Sequence, residues 1–255
     1  MLSAIPFTPP HGLPLVGEIQ LNSHGLMFFL ASIVAFLYTR ARTPVELRHH
    51  IEEALPWVTL GGILGARAAF VLLHPEMLLD PLEALRTWRG GLVSYGGMGG
   101  ALLAWWIFLR RRGLPAREMC DALAPAALVG WGIGRIGCFL TWYGEFGTAS
   151  NVPWAFEVDG VARHPVMLYL AAPLILAGWI VDRVSRRTGL PATGLAFVVY
   201  GLIRFCADFF RYYYPPELQY SSQGVSLLLA GLGVVLLLRW QRQPPPPAVA
   251  ERQQP

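Results

Sequence analysis

Residues 130–147 read GWGIGRIGCFLTWYGEFG. The segment GIGRIG inside it satisfies the G-x-G-x-x-G spacing of a dinucleotide-binding loop, so the stretch poses a choice between two folds. A nucleotide loop needs a strand before it, a helix after it and an acidic residue about 20 positions further on. Here the flanks are almost wholly apolar, no βαβ pattern surrounds them, and Arg135 stands in the middle of the motif. The alternative is a membrane span in which glycines let neighbouring helices approach and leave room for the arginine.

The rest of the chain decides for the membrane. Of 255 residues, 54% are hydrophobic and 14% charged, and mean hydropathy is +0.44. Soluble domains carry about 25% charged residues. The three cysteines, Cys120, Cys138 and Cys206, fit neither a metal-ligand spacing nor an even disulfide framework. The opening MLSAIPFTPPHGLPLVGEI has no positive n-region, and prolines interrupt its apolar run, so it does not read as a cleavable signal peptide. Export is expected to rest on the spans themselves.

Crossing a hydrocarbon core of ~30 Å takes about 20 apolar residues as a helix. Seven stretches qualify as candidates, at about 23–40, 54–74, 92–109, 122–141, 165–181, 192–210 and 223–238. The basic residues, all of them arginine, test the count. Thirteen fall in alternate loops and the tail: Arg40, Arg42 and Arg48; Arg110, Arg111, Arg112 and Arg117; Arg183, Arg186 and Arg187; Arg239, Arg242 and Arg252. The opposite loops hold four, Arg86, Arg89, Arg163 and Arg211. The positive-inside rule puts the thirteen in the cytoplasm, with the N-terminus outside and the C-terminus inside. An odd number of spans satisfies that, and seven is odd.

The connections are short. The longest outside loop, about 142–164, is expected to form a small cap in which WAFEVDGVARHP makes a hairpin turning at Asp159-Gly160. The tail QRQPPPPAVAERQQP reads as disordered, leaving one domain over residues 1–240 and a tail at 241–255. The stretch GGLVSYGGMGG (90–100) has six glycines around Tyr95. It suits either close helix packing or a re-entrant turn lining a cavity.

Three arginines remain inside candidate spans: Arg67, Arg135 and Arg204. At roughly 2.5–3.5 kcal/mol each on insertion scales, three cost roughly 8–10 kcal/mol unless offset. They are read either as structural ion pairs or as ligands for an anion. In YGLIRFCADFFR (200–211), one continuous helix would put Tyr200, Arg204, Asp208 and Arg211 on one face. Asp208 could then bridge both arginines. A guanidinium fork suits phosphate, and the phosphate carrier in a membrane is a phospholipid headgroup. The chain has no H-E-x-x-H and no supported serine–histidine pairing.

At these residues the chain resembles the bacterial phosphatidylglycerol–prolipoprotein diacylglyceryl transferases. GRIGCFLTWYGEFG is similar to a family signature in which Gly-Arg-x-Gly-Asn-Phe precedes a Glu and a Gly. HGLM (24–27), GAR (65–67), TWRGGLVSYGG (87–97), ARHPVMLY (162–169), YGLIRFCADFFR (200–211) and QGVS (223–226) follow in the family's order. The resemblance covers about residues 20–238. It implies an all-α polytopic protein of seven spans with a small extracytoplasmic cap, multi-pass in the bacterial cytoplasmic membrane. It also implies transfer of the diacylglyceryl group of phosphatidylglycerol to the lipobox cysteine thiol of a prolipoprotein, with glycerol phosphate leaving. Phosphatidylglycerol, the lipobox segment and membrane lipids are the implied partners. No metal, no cofactor and no nucleic acid are implied.

Carried over residue by residue, the resemblance gives Arg135 and Arg204 to the phosphate, with Tyr200 on the same face. Glu145 and Gly147 fall on the signature's Glu and Gly, Arg67 on an arginine of the second span, Trp88 on the Trp before the Gly-Gly, and Asp208 on the acidic residue of the sixth span. The chain also departs from the family. Tyr95 stands where a proton-accepting His is usual, Cys138 stands for Asn, and one extra residue lies between Phe139 and Glu145. Met167 and Leu170 replace a Gln and a Glu after RHP. A phenol with pKa near 10 is a poor base at neutral pH, so the accepting role is expected to pass to His24 or His74. Two other functions compete: a paralogue with another acceptor, and a non-catalytic phospholipid-binding or transport protein. Glu145 argues against the last, because binding alone needs no carboxylate beside a phosphate site.

Overall fold

The computed structural model describes residues 4–10, 12–16, 19–79, 82, 91, 93–142 and 147–241. These residues form an all-α, multi-pass membrane protein with small β additions. In chain order come β1 (Ile5–Pro6), β2 (Gly12–Val16), β3 (Ile19–Asn22), α1 (Ser23–Arg42), α2 (Arg48–Leu73), α3 (Ser94–Arg112), α4 (Ala116–Thr141), β4 (Phe156–Val158) and β5 (Val161–Arg163). Helices α5 (Val166–Thr188), α6 (Ala192–Ala207) and α7 (Leu218–Gln241) complete the order. The chain divides into two compact units, Met1–Arg42 with Cys120–Pro255, and Thr43–Met119.

All seven candidate spans fall on helices. Five stretches, Ser23–Arg42, Val45–Leu73, Ala116–Thr141, Val166–Thr188 and Leu218–Trp240, are long and apolar enough to cross a membrane. The other two differ for physical reasons. Helix α6 has 16 residues, about 24 Å at 1.5 Å per residue, and stops at Ala207 rather than at 210. Helix α3 is diluted by glycines and ends on Arg110, Arg111 and Arg112. Helix α2 begins at Arg48, before the expected start, with Pro56 inside it.

In the larger unit α5 is the buried element. Its covered residues Val166, Met167, Leu170, Ala171, Leu174, Ala177, Gly178 and Val181 recur at the three- and four-residue spacing of one helix face. Glycines set the crossings. A Cβ on Gly132 would stand 2.8 Å from the carbonyl oxygen of Ala171, and one on Gly178 would stand 2.7 Å from that of Pro125. Helices α6 and α7 meet at Gly194 and Gly233, where a Cβ on either would fall within 3.0 Å of the other's carbonyl oxygen. The link from α5 to α6 is tight because Gly189 takes a left-handed φ of 71° and Pro191 then starts the next helix. Large apolar side chains such as Phe28, Phe29, Leu72 and Leu228 remain exposed, as lipid-facing side chains do and as a water-facing surface rarely does.

In the smaller unit two small-x-x-x-small motifs face each other. Gly61 and Gly65 of α2 pack on Gly96 and Gly100 of α3, with 2.8 Å from a Cβ on Gly65 to the Gly100 Cα. Of the two readings for residues 90–100, close packing therefore holds for 96–100.

The expected hairpin is present. Strands β4 and β5 pair antiparallel with Val158 opposite Val161, and Asp159 and Gly160 have φ of 53° and 75°. The sequence did not announce its third strand: β1 pairs parallel with β4, Ile5 opposite Phe156. Nor did it announce the hairpin of β2 and β3.

Candidate functional site

The three arginines within the helices are all buried, at 7% exposure for Arg67 and 8% for Arg135 and Arg204. Their surroundings differ. Arg204, near the end of α6, directs Nε at the Oδ1 of Asp208, 3.2 Å away and one turn on. Asp208 is wholly buried. Its Oδ1 also accepts the Tyr213 hydroxyl at 2.7 Å, and its Oδ2 accepts Ser222 at 2.6 Å. Arg204 Nη2 donates to the same two hydroxyls, at 3.3 and 3.4 Å. Ser226 of α7, buried, holds the backbone of that turn by donating to the Ser222 carbonyl at 2.9 Å. Ser226 belongs to the QGVS motif, and its neighbour Gln223 keeps a buried Nε2 with no hydrogen-bond partner among the described residues.

This cluster corrects one expectation. The helix ends before Arg211, so Tyr200, Arg204, Asp208 and Arg211 do not share one continuous helix face. Arg211 instead forms a β-bridge with Gly147 and lies over the Tyr213 ring at 5.3 Å. Two guanidiniums and one carboxylate still gather around Tyr213. Burial pushes the Tyr213 phenol above the ordinary range, which keeps it protonated and a donor. Tyr213 and Ser222 were missed by the sequence reading. Their only signal was proximity to YGLIRFCADFFR and QGVS, and neither residue type is distinctive alone.

Arg135 lies over the Trp131 ring at 5.2 Å, one turn back on α4. The next turn is pressed against the start of α1. A Cβ on Gly137 would stand 3.3 Å from both Cα and Nδ1 of His24. Asn22 fixes that start by accepting the His24 and Gly25 amides at 2.9 and 3.1 Å. Cys138 packs with the apolar core of the unit, as does Tyr200 one turn before Arg204.

In the smaller unit Arg67 donates through Nη1 to the Gly91 carbonyl at 3.0 Å, where a φ of 75° favours glycine. Its guanidinium lies 5.4 Å from the Phe70 ring, and that ring stacks on His74 at 4.2 Å. His74 donates from Nδ1 to the Phe70 carbonyl at 3.0 Å, leaving Nε2 as its acceptor. Tyr95 lies in the first turn of α3. Its side chain, and all of Trp88 and Glu145, fall outside the described residues.

Gly147 is placed by a seam joining three segments: the one after α4, the one before α5 and the one after α6. The Thr148 amide donates to Phe210 at 2.8 Å, and the His164 amide donates to Thr148 at 3.1 Å. Arg163 Nη1 donates to Gly147 at 3.1 Å. A Cβ on Gly147 would collide with the His164 carbonyl, so no larger residue fits. His164 is a third residue to which the sequence reading gave no role. Its Nδ1 is 3.0 Å from the Tyr169 hydroxyl, which also accepts the Trp154 indole N–H at 2.7 Å. Burial lowers the pKa of His164 below the usual value. The unfolded chain therefore binds the extra proton first, and stability is present above about pH 6.5. We expect the melting temperature in detergent to fall between pH 7 and pH 5, and His164→Gln to flatten that slope. An equal slope in both proteins would remove His164 as its source.

The family model described as prolipoprotein diacylglyceryl transferase matches residues 10–239. The phosphatidylglycerol–prolipoprotein diacylglyceryl transferase of Azotobacter vinelandii is 34% identical over 77% of this chain and 78% of its own length. Proteins of the same description from Ectopseudomonas mendocina and Ruegeria pomeroyi are 30% and 33% identical, covering 90% and 84% of this chain and 93% and 81% of their own lengths.

Proposed function

Because the chain belongs to the prolipoprotein diacylglyceryl transferase family, we propose that it transfers the diacylglyceryl group of phosphatidylglycerol to the lipobox cysteine thiol of prolipoproteins. The protein is a transferase. The sulfur attacks the glycerol carbon that carries the phosphate ester. A C–S bond forms, the C–O bond to phosphate breaks, and glycerol phosphate leaves with that electron pair. The thiol proton goes to a base. The observation that carries the reading within this chain is the buried set Arg204, Asp208, Tyr213 and Ser222. A guanidinium locked in place below the cap meets a developing phosphate charge without reorganising, which is how preorganised donors lower a barrier. Arg135 supplies the second cation, Tyr200 lines α6 beside Arg204, and Glu145 and Gly147 close the signature. Arg67, Trp88 and Cys138 belong to the substrate-binding set. In this reading residues 1–240 form one domain of seven spans in the bacterial inner membrane, with the N-terminus outside and the tail at 241–255 in the cytoplasm.

Tyr95 is a weak base, and a thiol with pKa about 8.5 is only a few per cent ionised near neutrality. We place the acceptor at His24, which lies against the turn that follows Arg135, and give His74 a binding role. Complementation of a bacterium depleted of its own transferase tests both points. Mass spectrometry of a reporter lipoprotein should find a diacylglyceryl thioether on the lipobox cysteine. His24→Ala should lower the rate by about 10²-fold or more, and His74→Ala by less. Full membrane expression with no modification would exclude lipoprotein transfer in favour of another acceptor, and an unchanged rate in His24→Ala would remove it as the base.

A further inference from the structure

We propose that His49, His50 and Glu53, in the first two turns of α2, form a binding site for a divalent transition-metal ion of the Zn²⁺ type. None of the three has a part in the transfer chemistry. Glu53 stands four positions after His49 and three after His50, the spacings at which helical side chains meet. One Nδ1 or Nε2 from each imidazole and one carboxylate oxygen all lie within 4.8 Å of one another. Among the described residues no other three His, Cys, Asp or Glu side chains gather in this way.

The geometry is close to a ligand set. His50 Nδ1 is 3.4 Å from Glu53 Oε2, and two ligands at 2.0–2.2 Å from a tetrahedral zinc stand about 3.4 Å apart. The His49 ring lies 3.8 Å from that of His50 at 42°. His49 is exposed and His50 half-buried, so His49 is free to turn about its side-chain bonds and close the remaining gap. Three protein ligands leave one position for water. Two imidazole nitrogens with one oxygen suit Zn²⁺, Co²⁺, Ni²⁺ or Cu²⁺, whereas Mg²⁺ and Ca²⁺ favour oxygen throughout. The surrounding charge makes the same selection. Arg112 Nη2 is 3.1 Å from Glu53 Oε2, and Arg110 and Arg111 share its turn at the end of α3. A cation held by charge alone gains little there, while one that gains from imidazole is retained. The Arg112–Glu53 pair is exposed, and such pairs have small net worth. Displacing it costs little, and Arg112 keeps the Phe108 ring at 5.8 Å. Arg67 lies fourteen positions further along α2, about 21 Å at 1.5 Å per residue. The ion therefore staples the start of the helix and takes no part in transfer.

The test uses the full-length protein in detergent, purified without a polyhistidine tag, stripped with EDTA and titrated with Zn²⁺ and with Co²⁺. One equivalent of Zn²⁺ should bind, Co²⁺ should show the visible bands of a site with nitrogen ligands, and excess Mg²⁺ or Ca²⁺ should not compete. His49→Ala, His50→Ala and Glu53→Gln should each weaken Zn²⁺ binding at least about tenfold, since even an outer partner of a metal ligand is worth about 10–100-fold. Glu46→Gln, which alters an exposed carboxylate just before α2, should leave the affinity unchanged. Arg112→Ala should tighten binding about two- to fivefold, because Glu53 loses its competing cation. A gain of affinity cannot come from misfolding. Zn²⁺ should also raise the melting temperature of the unmodified protein, and should not raise that of His49→Ala or His50→Ala. Absent or non-saturating binding, or an affinity that none of the three ligand substitutions changes, overturns the site. Weaker binding in a folded Arg112→Ala overturns the placement of the ion at Glu53. None of these readouts depends on turnover, so they stand apart from the transfer reading.

Discussion

Arg135→Ala and Arg204→Ala are each expected to abolish diacylglyceryl transfer, reducing the rate by at least about 10²–10³-fold. That is the loss seen when one preorganised donor to a developing anion is removed, roughly 2.7–4 kcal/mol. The two variants fail differently. Arg204 is bonded to Asp208, Tyr213 and Ser222, so its removal also strips a buried carboxylate of its cation. Arg135 lies over the Trp131 ring, one turn back on the same helix. Arg204→Lys should not rescue activity. A lysine presents a point charge and cannot hold Asp208 through one nitrogen while directing others elsewhere. The check is transfer to a reporter lipoprotein, measured on protein that is purified and shown to be folded. A folded Arg135→Ala that retains more than about a tenth of the rate would remove this arginine from the role of phosphate partner.

Asp208→Ala is expected to have the largest effect on stability. Asp208 is wholly buried and accepts Arg204, Tyr213 and Ser222. Deleting it leaves an uncompensated guanidinium in a water-poor site, which costs about 3–5 kcal/mol, and orphans two hydroxyl donors as well. The variant should express poorly, melt at a much lower temperature and show no activity. Tyr213→Phe and Ser222→Ala should each cost about 1 kcal/mol, since the remaining partners still satisfy the carboxylate. Asp208→Asn should fall between, because it preserves volume and one acceptor but loses the charge. The comparison is thermal unfolding of all four variants in one detergent. If Asp208→Ala melts with Ser222→Ala, the carboxylate is not what compensates Arg204.

Particular residues mark how far the sequence reached. The candidate spans, the arginine asymmetry between loops and the turn at Asp159-Gly160 were visible because each depends on local composition. The identity of the buried cations was visible for the same reason, since an arginine inside an apolar run stands out without any knowledge of its neighbours. The end of α6 was not visible. Periodicity continues through Arg211, but the backbone leaves the helix at Asp208, where Tyr213 and Ser222 close around the carboxylate. Strand β1 was missed because Ile5 pairs with Phe156, a partner no window along the chain contains. His164 and Tyr213 were missed because ordinary residue types acquire chemical meaning only from what surrounds them.

Sequence alone thus determined the membrane class, the family, and which arginines must be compensated within the bilayer. These follow from the cost of placing charge and unpaired backbone in hydrocarbon, a cost that falls on each segment separately. Tertiary structure alone decided how the charges were compensated. It set Asp208, Tyr213 and Ser222 around Arg204, His24 against the turn after Arg135, and Gly61 and Gly65 against Gly96 and Gly100. Those pairings join residues far apart in the chain, and a buried polar or close-packed group is satisfied by what is near in space, which local pattern does not encode.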